Sequence, residues 1–134
     1  MNQFVLELLQ DEQSEKVRKE LSSLLSSGKE YVIAVDFDGT LCRNHWPKIG
    51  EPNLPIIDAA KKAKAYGAKL ILYTCREKKW LCEAVAWCAV RGLKFDAVNA
   101  NLQTRIDQYG GDCRKVSADE YWDDKAVCVA GVVS

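Results

Sequence analysis

What this chain lacks narrows its function first. It has no net charge, because nineteen Lys and Arg are matched by nineteen Asp and Glu. No overall field exists to hold a nucleic-acid backbone or an anionic membrane, which leaves at most a local patch for either. No apolar run approaches the roughly 20 residues that a membrane helix needs. The first residues, Met-Asn-Gln-Phe-Val-Leu-Glu, carry neither a basic leader nor a cleavage site. Histidine is almost absent, with His45 alone in the chain. The six cysteines, Cys42, Cys75, Cys82, Cys88, Cys113 and Cys128, form no C-x-x-C pair and have no His-rich tract beside them. That scatter argues against structural zinc and against a disulfide framework, and a reduced, cytoplasmic setting is the simpler expectation.

What is present is an ordinary globular composition, 48% apolar and 28% charged over 134 residues. That length suits one domain with a real core and little room for a second. Residues 1–29 read as an N-terminal helical extension and 30–134 as the main α/β domain. In the extension, Phe4, Val5, Leu8 and Leu9 cluster at helical spacing, as do Val17, Leu21, Leu24 and Leu25. The polar stretch between them leaves one helix or two open. Packing onto its own domain is the default for this appendage; pairing with a second subunit as a homodimer is the alternative.

The stretch around which the rest is arranged is residues 31–40, Tyr-Val-Ile-Ala-Val-Asp-Phe-Asp-Gly-Thr. A short uncharged run of β-formers closed by a Gly turn reads as a strand buried on both faces. In an open parallel sheet, chemistry collects just beyond the carboxyl ends of such strands. Asp36 and Asp38 stand there, one residue apart, and like charges in a half-buried cleft repel and lose hydration. A divalent metal with oxygen ligands is the natural counterweight.

Leu41 to Leu54 holds two prolines and a glycine and no sustained period, so it reads as a loop or short hairpin. It carries His45, more in keeping with a solvated rim residue than a catalytic one, and Trp46, which suits either shielding a site or anchoring the segment. Pro55 to Tyr66 reads as a helix, Lys69 to Tyr73 as a second buried strand delivering Thr74-Cys75-Arg76, and Glu77 to Arg91 as another helix. Lys94 to Val98 reads as a third strand ending at Asn99. Leu102 to Gly111 reads as irregular, Ala118 to Trp122 as a strand running into Asp123-Asp124, and Ala126 to Ala130 as the last strand. The sum is a single α/β, Rossmann-like layer with a mostly parallel five-stranded sheet between helices.

If the strands are neighbours, Asp36, Asp38, Thr74, Lys115 and Asp123-Asp124 converge. Carboxylates, a hydroxyl and an ammonium together suit a phosphoryl group, whose spread charge needs cations and donors. Arg76 could fork onto a substrate phosphate or pair with Glu77, and Asn99 is a weaker rim candidate.

Val35-Asp36-Phe37-Asp38-Gly39-Thr40-Leu41 resembles the first signature of the haloacid dehalogenase-like (HAD) hydrolases, mostly Mg²⁺-dependent phosphatases and phosphotransferases. Thr74 after an apolar strand, Lys115, and the acidic pair 123–124 are similar to the family's later signatures, in order. Lys-Val-Ser-Ala-Asp-Glu-Tyr-Trp-Asp-Asp-Lys-Ala resembles small, capless bacterial and phage members, so no large cap domain is expected. The resemblance covers roughly residues 31–130. It implies Asp36 as nucleophile, Asp38 as general acid and base, Thr74 and Lys115 as phosphoryl contacts, and a flap at 41–54. It implies Mg²⁺ held by Asp36, the Asp38 carbonyl and Asp123, with Asp124 an alternative ligand. Gly39, Thr40, Arg76 and Asn99 would meet a small phosphorylated substrate. Two other readings stand beside it: a receiver-like phosphoacceptor domain, against which Asp38 argues, and an inactive interaction module.

Overall fold

The computed structural model describes residues 5–10 and 13–129. The expectations for Phe4, for the side chain of Leu8 and for Ala130 lie outside the described residues. Strand β1 (Val32–Val35) is buried at all four positions, as its uncharged run requires. It lies at the centre of a four-stranded sheet, between β4 (Lys69–Leu72) and β6 (Glu120–Trp122), with β5 (Ala97–Val98) outside β4. Every pairing in this sheet is parallel. Val35 stands opposite both Leu72 and Trp122. The residues that follow these three strands therefore emerge side by side at one edge.

The segment after β1 folds as an antiparallel hairpin, β2 (Cys42–His45) and β3 (Lys48–Pro52). Its base is tied to the strand below by Asn53, whose Nδ2 donates to the Thr40 carbonyl at 2.9 Å and whose N–H donates to the Leu41 carbonyl at 2.9 Å. Helices α1 (Val5–Gln10), α2 (Ser14–Ser26), α3 (Leu54–Ala65) and α4 (Lys78–Val90) complete the core. Their buried residues, among them Val5, Leu9, Val17, Leu21, Ile57, Ala60, Ala63, Ala84 and Cys88, gather in one cluster with Ile33, Val35, Leu70 and Leu72. Alternation along the strands sends Val32, Ala34 and Ile71 to the opposite face, where Leu102 and Val116 cover them. The N-terminal helices thus pack on their own domain. Their connection is specific: the Val5 N–H donates to Oε2 of buried Glu120 on β6 at 2.7 Å. No helix among the described residues is long and apolar enough to cross a membrane.

Four features differ from the sequence reading. The sheet has four strands among the described residues, because residues 126–129 form no strand and Val127 and Val129 are exposed. Composition there favours β-structure, but β-structure also needs a neighbouring strand to pair with. The four helices α1–α4 share one apolar cluster, so the sheet is not sandwiched evenly. Its other face is covered by the chain between β5 and β6, which includes a short helix, α5 (Gln103–Tyr109), where a loop was expected. That helix buries none of its residues, so it leaves no apolar stripe in the sequence to announce it. Strand β5 covers two of the five residues expected for it.

Candidate active site

Asp36 follows β1 directly and its N–H donates to the Trp122 carbonyl at 2.9 Å. That hydrogen bond carries the β1–β6 ladder past the last paired residues and sets Asp36 next to Asp123 and Asp124. One carboxylate oxygen from each of these three acids lies within 4.8 Å of the other two. Burial, then the charge of Asp123, pushes the Asp36 carboxyl up to about 6, while the Phe37 N–H and the Thr40 hydroxyl pull it back down.

Gly39 and Thr40 shape this cluster from within. Gly39 has φ 91°, a left-handed conformation, and a Cβ added there would lie 2.7 Å from Cγ of Asp124. Only a residue without a side chain lets Asp124 approach. Thr40, buried, donates from Oγ1 to Oδ2 of Asp36 at 3.2 Å and accepts the Asp124 N–H at 3.1 Å. The resemblance makes both residues substrate contacts; their observed contacts are with the acids.

Asp38 lines the same cleft but is not one of the trio. Both of its carboxylate oxygens are taken by Arg76, Nε to Oδ2 and Nη2 to Oδ1, each at 2.8 Å. Arg76 is only 1% exposed but is among the residues that line the cleft, and its observed partners are protein groups: two carboxylate oxygens and two aromatic rings. Its backbone is set by Thr74, whose Oγ1 accepts the Arg76 N–H at 3.2 Å. Asn99 also turns out to be a support. Its Oδ1 accepts the Thr74 N–H at 2.8 Å and its Nδ2 donates to the Arg76 carbonyl at 3.4 Å, from a backbone at φ 48°.

These groups surround an open cleft of about 310 Å³ at the carboxyl edge of the sheet, lined by Asp36, Asp38, Thr74 and the acidic pair. Asn44 and Trp46 of the hairpin, Cys75, Arg76 and Lys125 complete the lining. Lys115 is not part of it. This side chain is exposed, with its ammonium 5.1 Å from the centre of the Tyr121 ring. Lys125 is instead among the lining residues, its backbone N–H donating to Oδ1 of Asp123 at 2.9 Å. Its one sequence signal is its place directly after the acidic pair. His45 is exposed on β2 and is not among the lining residues.

The donor set fits a hard dication. Three carboxylates sit within one ion's reach, one of them raised by burial and by its neighbour, and oxygen is the ligand type that Mg²⁺ takes. Asp38 contributes no carboxylate to that set.

No protein-family model and no curated protein matches the chain. A solved structure of a conserved protein from Bacteroides thetaiotaomicron is similar, with a TM-score of 0.66 and 37% sequence identity. The match covers 74% of this chain and 79% of that one. At that identity and coverage, the chain belongs to the family of this conserved Bacteroides thetaiotaomicron protein.

Proposed function

We propose that the protein is a Mg²⁺-dependent phosphomonoester hydrolase of the HAD type, acting through an aspartyl-phosphate on Asp36. The observation that carries this reading is the convergence of Asp36, Asp123 and Asp124 at the edge of a parallel sheet, beside Asp38 and Thr74. Mg²⁺ would be held by Asp36, Asp123 and Asp124, and when bound it supplies positive charge to offset that of the phosphoryl oxygens.

The chain's own residues divide the remaining work. With its carboxyl raised to about 6, Asp36 is mostly ionised at neutral pH and free to act as nucleophile. A carboxylate oxygen of Asp36 forms a bond to phosphorus as the bond from phosphorus to the ester oxygen breaks. Asp38 gives its proton to that leaving oxygen, then takes one from the water that hydrolyses the aspartyl-phosphate. Arg76 occupies one lone pair on each Asp38 oxygen, which leaves the other for this proton traffic. Thr74 and Lys125 line the cleft, and their hydroxyl and ammonium would serve as donors to the phosphoryl oxygens. The substrate is a phosphorylated small molecule admitted by an open cleft.

The test is phosphate release from p-nitrophenyl phosphate and from a panel of phosphorylated sugars and nucleotides, with Mg²⁺ or with chelator. The expected result is Mg²⁺-dependent release that Asp36→Asn abolishes. No release from any member of the panel, or release that survives Asp36→Asn, overturns the reading.

A further inference from the structure

We propose that Arg76 is a positioning residue that fixes the flap hairpin and the Asp38 side chain as one unit, so that Asp38 is aimed into the cleft only while the flap is docked. The chemical half of this inference rests on the phosphatase reading above; the structural half does not.

One guanidinium bridges two elements, the acidic turn and the flap. Besides the two bonds to Asp38, Nη1 donates to the Pro47 carbonyl at 3.2 Å and Nη2 to the Lys48 carbonyl at 3.1 Å. Among the described residues, these two bonds are the hydrogen bonds that join the flap tip, residues 46–48, to the protein outside the hairpin. The faces of the guanidinium are used as well. Its central carbon lies 5.1 Å from the centre of the Phe37 ring, in the acidic turn, and 4.9 Å from that of Trp46, in the flap. Trp46 in turn leans on Trp80 of α4, ring centres 5.4 Å apart. Asn99 braces the loop that carries Arg76, through Thr74 N–H and the Arg76 carbonyl.

A planar fork has few ways to satisfy four such acceptors at once, because its donors are rigidly spaced. Displacing the flap carbonyls therefore frees the fork to turn, and turning it releases the Asp38 oxygens. The coupling is reciprocal, as any linkage between two sites must be. Removing the Asp38 carboxylate should loosen a flap tip that Asp38 never touches through its own hydrogen bonds.

The experiment pairs hydrogen exchange of the flap amides with steady-state kinetics on Arg76→Met, Arg76→Lys and Asp38→Ala. Both Arg76→Met and Asp38→Ala are expected to speed exchange at the flap tip by about tenfold or more, as expected when a local opening becomes easier. On phenyl phosphate, whose leaving group needs a proton, Arg76→Met should lower kcat about 10²-fold, the scale of a misplaced catalytic group, with KM nearly unchanged. On 2,4-dinitrophenyl phosphate, which needs no proton, the loss should be several times smaller, and Arg76→Lys should recover part of it. Should Arg76→Met fail to fold, Arg76→Lys and Asp38→Ala carry both measurements. Unchanged flap exchange in the folded variants overturns the coupling, whether or not the protein hydrolyses anything. Equal losses on the two esters, or a rise in KM at constant kcat, overturn the link to Asp38. If the wild type hydrolyses no ester, the phosphatase reading falls, and the exchange arm still decides the coupling.

Discussion

Thr40 and Asp124 are joined across 84 positions of sequence by a hydrogen bond of 3.1 Å, from the Asp124 N–H to the Thr40 hydroxyl oxygen. The same hydroxyl donates to Asp36, so one buried side chain sets the spacing between Asp36 and the acidic pair. Thr40→Val keeps the shape and leaves two polar partners unmatched, which should cost about 1–3 kcal/mol of stability. It should also weaken Mg²⁺ binding about tenfold, the lower end of what support for metal ligands is worth. Titration calorimetry with Mg²⁺ checks this, and Thr40→Ser should restore binding. An unchanged affinity in Thr40→Val removes the organising role.

Asp36 binds its proton more tightly in the folded protein than in the unfolded chain, since burial lifts it from an ordinary 3.8 to about 6. Its contribution to stability is therefore fully present below pH 3.8 and is lost as pH rises through about 6. In chelator, the melting temperature of the wild type should fall across that window relative to Asp36→Asn, which lacks the titrating group. Added Mg²⁺ should recover more at pH 7.5 than at pH 5, where protons compete for the site. Parallel curves for the two proteins across the window would falsify the assignment.

Lys125 and Lys115 make contrasting claims on the phosphoryl group, one lining the cleft and the other lying over Tyr121. Lys125→Met should lower kcat/KM about 10²-fold, the scale of one lost transition-state donor. Lys115→Met should leave kcat/KM within about twofold, as an exposed side chain away from the chemistry would. Measured on p-nitrophenyl phosphate, the opposite ranking returns the role to Lys115.

Glu120 is 4% exposed and accepts from the Val5 N–H, the Tyr31 hydroxyl and the Trp122 indole N–H. Glu120→Gln turns an amide donor against at least one of these donors. The cost should be about 2–4 kcal/mol, seen as a drop of roughly 10 °C in melting temperature. Burial and Glu120 both raise Tyr31, so its hydroxyl stays protonated and donating in the wild type. A melting temperature within about 2 °C of wild type would remove the structural role given to this carboxylate.

The parts of this site that could be read in the chain are those announced by local pattern. Asp36 follows four buried apolar residues and Asp123 follows a strand that pairs with them, so both were placed at one edge. The parts that could not be read depend on which groups meet in space. Arg76 is a charged residue after a strand, and nothing local says that Asp38, two flap carbonyls and two aromatic rings will bury it. Lys115 and Lys125 are alike as letters, and only the path of the chain after Trp122 separates them. The apolar letters of 126–129 signal a strand, but strand formation is settled by the neighbour on offer.

Phe37, between the two acids, has no exposed surface and meets the Trp87 ring edge-on, ring centres 5.5 Å apart. Sliding the acidic turn along by one residue would drive a carboxylate into that apolar slot and push a phenyl ring out into water. The interval between the proposed nucleophile and the proposed proton donor is thus enforced by a side chain with no polar atom. Variation that preserves the chemistry has to preserve a greasy peg between the two aspartates.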